Sequence, residues 1–258
     1  MSPTQVVVLT LIMVATGAIG AITGGNSLIN VPLMIMVGMS SREAVATNMF
    51  AVVFMTISST VRFARDKLIS ARLALPLCAL TAVSSAVGAE LAVKLPEAVV
   101  KTIVGVSMGL LVVFMTVRRS STSRAVSIPP TAAAVGFVLT FVLGIYGGLF
   151  SGGYTTLMTV LGVACFGLRM LESVAIMKPV NLVSCVAASL IFFWAHLIDF
   201  RVGIPLAAAN LVGGYVGAQL AVKSSERLVR ALFLATVAGL ALKLLAYDVV
   251  YRALIAAH

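Results

Sequence analysis

Residues 67–94, KLISARLALPLCALTAVSSAVGAELAVK, laid on residues 196–223, HLIDFRVGIPLAAANLVGGYVGAQLAVK, agree at 14 of 28 positions without a gap. The offset is 129 residues, and the match extends both ways. Forward, Glu97 and Lys101 fall on Glu226 and Arg230; backward, Arg42-Glu43 falls on Leu171-Glu172. At the head of each unit Gly17-Ala18-Ile19-Gly20 resembles Gly144-Ile145-Tyr146-Gly147, and with a one-residue gap Gly24-Gly25 meets Gly152-Gly153. Apolar composition alone does not produce such order, so the chain reads as two copies of one unit. The halves are 1–117 and 129–258, joined by a polar linker at 118–128, RRSSTSRAVSI. Duplicated membrane bundles of this kind commonly hold a transporter's binding site where the repeats meet.

The solvent of both copies is lipid. The chain is 61% hydrophobic and 10% charged, against about 25% charged in soluble domains, with a mean hydropathy of +1.14. Apolar runs near the roughly 20 residues that cross a bilayer lie at 5–22, 43–62, 72–93, 98–117, 129–150, 170–195, 202–222 and 228–247. Two shorter ones, 28–40 and 155–167, each follow a glycine-rich break. The expected fold is an all-α polytopic membrane protein of eight long spans and two short segments. The net charge of +10 lies in short clusters between spans, which suits membrane orientation and anionic lipid, not nucleic acid. Cys78, Cys165 and Cys185 sit in apolar segments without a CxxC pair, so neither a disulfide framework, a metal site nor a bound cofactor is expected. Met1 to Gln5 carries no cation ahead of the first apolar run, which argues against a cleaved signal peptide.

The cations choose between two relative orientations. If the segments opening each unit cross an even number of times together, the halves are inverted. One side then collects eleven residues: Arg62, Arg65, Lys67, Arg72, Arg118, Arg119, Arg124, Arg169, Lys223, Arg227 and Arg230. The other keeps Arg42, Lys94, Lys101, Arg201 and Arg252. Parallel halves divide the same residues nine to seven, a poorer fit to the positive-inside tendency. Inverted repeats with a cytoplasmic linker are therefore the preferred expectation.

The breaks are where chemistry is expected. Thr23-Gly24-Gly25-Asn26-Ser27 precedes one short segment, with Pro32 close to its start, and Ser151-Gly152-Gly153-Tyr154-Thr155-Thr156 precedes the other. Irregular backbone at membrane depth persists only when buried in protein or lining a cavity. Asn26, Ser27, Thr155 and Thr156 are placed as N-caps. Helix starts facing each other there would aim free N–H groups and positive dipole ends at an anion. The competing reading is that these glycines serve close packing, as Gly105-xxx-Gly109 and Gly213-xxx-Gly217 do.

Lys178 is the second signal, about eight residues inside a span, with Pro179 next and Asn181 one turn on. A lysine that snorkels or pairs with Glu172 is the alternative. The matching stretch of the first half, Thr47-Asn48-Met49, is uncharged, so the fixed charge would belong to the second half. The candidate binding set is Gly24, Gly25, Asn26, Ser27, Asn48, Ser151, Gly152, Gly153, Tyr154, Thr155, Thr156, Lys178 and Asn181. Weaker features have structural explanations. Glu90 can pair with Lys94, Glu43 and Glu172 can cap helices, Lys243 can snorkel, Trp194 can anchor at the interface, and His196 and Asp199 belong to a loop.

Taken in order, Val31-Pro32 after the first break, Ala44-Val45-Ala46-Thr47-Asn48, Gly147-Gly148-Leu149-Phe150-Ser151-Gly152-Gly153 and Lys178-Pro179-Val180-Asn181 resemble the TauE/SafE sulfite exporter family, also called the toluene-sulfonate uptake permease group. The resemblance covers about 10–245. It implies a secondary carrier of sulfur-containing anions such as sulfite, sulfonates, sulfoacetate or thiosulfate in a bacterial or archaeal inner membrane. Asn26-Ser27 and Tyr154 depart from the usual small residues and would narrow or repolarise the cavity. The expected activity is alternating access at a midplane anion site, without a P-loop for ATP. The expected partners are a small anion and membrane lipid, and a homodimer is compatible with the sequence. Two rivals remain open: an anion channel, and an intramembrane hydrolase using Ser151 and His196, although Ser151 lacks the G-x-S-x-G setting.

Overall fold

The computed structural model describes residues 3–100, 102, 103, 106 and 129–224. Eight α-helices are described end to end, and among the described residues there is no strand: α1 (Pro3–Thr23), α2 (Ser27–Met36), α3 (Ser41–Arg65), α4 (Ala71–Lys94), α5 (Pro130–Leu149), α6 (Tyr154–Phe166), α7 (Met170–Trp194) and α8 (Phe200–Lys223), with residues 97–100, 102, 103 and 106 helical as well. Six of these, α1, α3, α4, α5, α7 and α8, are long and apolar enough to cross a membrane; α2 and α6 are not long enough. The other two expected spans, 98–117 and 228–247, lie largely outside the described residues, as do the linker, Gly105, Gly109, Glu226, Arg230 and Lys243.

Local chemistry sets the helix starts. Ser40 and Glu43 form a reciprocal capping box at α3, each accepting from the other's main-chain N–H at 3.2 Å. Glu172 accepts from the Arg169 N–H at the start of α7. Asp199 opens α8 by accepting from the N–H groups of Arg201 and Val202. The capping explanation for the two glutamates therefore holds, and so does the Glu90–Lys94 pair, at 3.0 Å.

Packing exchanges helices between the halves. α1 lies along α8, and α5 lies along α4. Lipid supplies no hydrophobic drive for helices to associate, so close approach through small residues matters. A Cβ on Gly88 would stand 1.9 Å from the Ile145 carbonyl oxygen, and one on Gly217 would stand 2.1 Å from that of Ala18. These two glycines are repeat mates. Hydroxyls add to the seams: Ser85 donates to the Gly144 carbonyl (2.9 Å) and meets the Ser184 hydroxyl (2.7 Å), while Ser59 reaches the Gly214 carbonyl (3.2 Å).

The contacts also give directions. Thr47 meets Gly203, Met55 meets Gly214 and Arg62 reaches Gln219, so α3 and α8 run the same way. Ala74 and Leu77 cluster with Ile176 and Val180, and Ser85 meets Ser184, so α4 and α7 also run the same way.

One ionic contact anchors the start of α3. Arg42 pairs with Glu97 at 3.2 Å and donates to the Val93 carbonyl, while the Ser41 N–H donates to the Glu97 carboxylate. Burial pushes that carboxyl up, but the hydrogen bonds from Ser41 and Arg42 outweigh burial and hold it below its ordinary value of 4.5. A carboxyl depressed on folding stabilises above its unfolded pKa, and that contribution is lost as pH falls through the folded value. The melting midpoints of wild type and Glu97→Gln in detergent should therefore differ near neutral pH and draw together progressively as pH falls from 4.5 through the lower folded value.

Candidate functional site

α1 stops because Gly24 takes a left-handed turn, φ +78°, with its N–H on the Gly20 carbonyl at 2.8 Å. A side chain would strain that conformation. The chain re-enters helix at Ser27. In the second half α5 ends at Leu149, Phe150 is extended, and Gly153 (φ +76°) turns the chain into α6. In each half a glycine-rich break therefore separates a helix long enough to cross a membrane from a short one, as expected.

The two interruptions touch each other. Ser27 Oγ and Ser151 Oγ are 2.8 Å apart, and Asn48 Nδ2 donates to Ser27 at 2.9 Å. Thr156 Oγ1 donates to the Thr23 carbonyl at 2.6 Å, and a Cβ on Gly24 would stand 2.6 Å from that of Thr155. Gly152 packs against Leu28 and Phe150, and its carbonyl accepts from the Tyr146 hydroxyl. Residues more than 120 apart in sequence thus share one buried junction, with Asn26, Ser27, Ser151, Thr155 and Thr156 all at 5% exposure or less.

Lys178 enters this junction. Its side chain is completely buried, and its amine donates to the Gly20 carbonyl at 2.9 Å. Among the described residues no carboxylate stands within ion-pair distance of it. The lysine neither snorkels nor pairs with Glu172, and α7 continues as helix through Pro179.

Several donors here remain unspent. The main-chain N–H groups of Asn26, Thr155 and Thr156 make no hydrogen bond to the described residues, nor does Asn26 Nδ2. An ammonium has three donor hydrogens, and one of them is used. Within the Asn48–Ser27–Ser151 chain one hydroxyl hydrogen is left over, whichever serine donates to the other. Against these donors the junction holds one buried side-chain acceptor without a partner, Asn48 Oδ1. Donors therefore outnumber acceptors, an arrangement that fits an anion better than a cation.

One expectation needs correction. None of Asn26, Ser27, Thr155 and Thr156 caps through its side chain. Asn26 has helical dihedrals and makes no capping bond, the N-cap of α6 is Gly153, and the other three lie inside their helices. The first turn of each short helix is thereby left open. Tyr154 is a wall residue: its ring lies under Gly147 and its hydroxyl is 3.4 Å from Thr81. Asn181 is buried one turn beyond Lys178, where its Oδ1 accepts from Cys185 Sγ at 3.6 Å. Gly25 donates its N–H to Thr23 Oγ1 and shapes the turn.

Sequence reading missed Gly20, whose carbonyl holds the Lys178 amine, and the buried pair formed where Thr16 of α1 donates to Asn30 of α2 at 2.8 Å. Gly20 contributes only a carbonyl, which no side-chain pattern reveals. Asn30, by contrast, is a polar residue in a ten-residue apolar helix and was visible as such. The hydrolase pairing does not form: Ser151 is buried against Ser27, while His196 is exposed in the α7–α8 loop.

The family model described as "Sulfite exporter TauE/SafE" matches residues 9–244. A "Probable membrane transporter protein ORF9" from a Sinorhizobium species is 24% identical over 230 residues, covering 89% of this chain and 88% of its own length. The "Probable membrane transporter protein YfcA" of Escherichia coli K12 is 26% identical over 252 residues, covering 96% and 91%. A similarly named protein of Haemophilus influenzae is 25% identical over 215 residues, covering 82% and 83%. No solved structure gives a significant match. A family match through nearly the whole chain, joined to six helices fit to span a membrane, establishes that this protein belongs to the TauE/SafE sulfite exporter family and is a multi-pass membrane transporter, not an enzyme.

Proposed function

We propose that the protein is a secondary carrier of a small sulfur-containing anion, exporting it across the inner membrane by alternating access at the junction of the two breaks. The observation that carries this reading is the contact of the two breaks beside a buried lysine amine that has no ion-pair partner among the described residues, together with unspent N–H donors in the same breaks. An ammonium without a counter-charge is costly to bury. An anion arriving at the junction supplies that counter-charge and accepts from the open helix starts. The sulfur oxyanion class and the outward direction come from the family's description.

The halves, 1–117 and 129–258, are inverted repeats in this account. Supporting it, α3 runs with α8 and α4 runs with α7, whereas the short 66–70 connection makes α3 and α4 successive, opposed crossings. A helix parallel to its partner's mate, and not to its own, is what inversion requires. The junction then lies on the pseudo-twofold axis, where rocking of one half against the other exposes it to either side in turn.

Reconstitution tests the carrier directly. Proteoliposomes should take up radiolabelled sulfite or methanesulfonate saturably, and unlabelled anion preloaded inside should accelerate uptake. Flux that rises linearly with concentration, without counterflow, would identify a channel instead.

A further inference from the structure

Asn30 lies outside every role assigned so far. It is completely buried in α2, one turn beyond Asn26, and Thr16 Oγ1 donates to its Oδ1 at 2.8 Å. That bond orients the amide and leaves Nδ2 without an acceptor, as Asn26 Nδ2 also is. Buried donors without partners are uncommon, and each calls for an explanation. Here the two share a face. The Asn26 side chain crowds Gly20 of α1, Asn30 touches Thr16 one turn earlier on α1, and Lys178 reaches the carbonyl of the same Gly20.

A strip of donors therefore runs from the Lys178 amine and Asn26 amide to the Asn30 amide, about 5.4 Å further along the helix axis. Two side-chain carbonyls are also unpartnered: Asn48 Oδ1 on α3, whose amide nitrogen bonds Ser27, and Asn210 Oδ1 on α8, which lies against Gly17 of α1. Occupying the strip fully takes acceptors at both ends. A single-centred oxyanion spans only one.

We propose that Asn30, held by Thr16, is a second contact for the transported ion, and that the site prefers a small organic anion with a further acceptor group about one helical turn from its charged head. This rests on the junction being an anion site. It adds a length requirement that a simple sulfite site would not have.

The test compares methanesulfonate, with one head, and ethanedisulfonate, with two, as competitors of labelled uptake in proteoliposomes. Wild type should bind the two-headed ion at least about 10-fold more tightly, the scale of one hydrogen bond to a charged group. Asn30→Leu should remove that preference and leave methanesulfonate within about 2-fold of wild type. Thr16→Val, which frees the amide to turn, should give a smaller selective loss, and it carries the test if Asn30→Leu fails to insert. Equal losses for both ions, or no preference in wild type, would overturn the second contact while leaving the carrier standing. Wild type that transports neither ion, and no other anion, would overturn both.

Discussion

Replacing Lys178 with Met lowers anion uptake by about 100-fold or more without lowering the melting temperature of the purified protein. The magnitude follows from losing a charge-assisted hydrogen bond, about 1.5–3 kcal/mol, together with the fixed positive charge that Lys178 brings to the junction. The stability half follows from the same burial. The amine is completely enclosed, with one carbonyl as its partner, so folding carries its desolvation cost without an ion pair to offset it. Methionine is similar in length and apolar, and removes that cost. Lys178→Arg keeps the charge in a bulkier, planar group and should retain part of the flux. A structural lysine would behave in the opposite way: Lys178→Met would lower the melting temperature, and uptake per folded protein would be unchanged.

Gly24→Ala should damage the junction twice over, through its backbone conformation and through its contacts with the other break. Its φ of +78° costs an L side chain about 1–2 kcal/mol. The added Cβ would also sit 2.6 Å from Thr155 Cβ and 2.8 Å from the Thr156 nitrogen, in the start of α6. Relieving that collision means prising the two breaks apart, with overpacking adding about 1–3 kcal/mol. Uptake should fall at least about 10-fold, and the melting temperature should fall too. Gly38→Ala separates the two causes. Gly38 is also left-handed, at φ +101°, yet a Cβ there would meet nothing within 4 Å. It should show the conformational part alone, with transport nearly intact. Similar flux losses in both variants would mean that contact between the breaks is unimportant.

The repeat was legible because membrane helices that pack through glycines and serines preserve those residues' spacing, and 67–94 against 196–223 retains Gly88 with Gly217 at equivalent close crossings. Span positions were legible because lipid demands long apolar runs, and the six long described helices end within about three residues of the expected limits. The breaks were legible from glycine placed beside polar residues in otherwise apolar sequence. Their mutual contact was not. Nothing in a linear pattern states that Ser27 meets Ser151, or that Thr156 reaches back to Thr23. Capping was misassigned for a related reason. Asn, Ser and Thr beside a helix start usually satisfy its first N–H groups, but here those side chains bond across the junction or stay free, and the N–H groups remain open. Asn181 was chosen by its spacing from Lys178, which fixes a helical face but not what that face meets. Asn30 was passed over because the short segment was read for its apolar length, although an asparagine in such a helix is as costly to bury as the residues of the break.

The most direct measurement is an experimental structure of the detergent- or nanodisc-embedded protein with bromoethanesulfonate, located by the anomalous signal of its bromine. A sulfonate should lie within about 3 Å of the Lys178 amine and of the open N–H groups of Asn26 and Thr155. An anion bound elsewhere, with Lys178 still on the Gly20 carbonyl and the junction closed around it, would contradict the account.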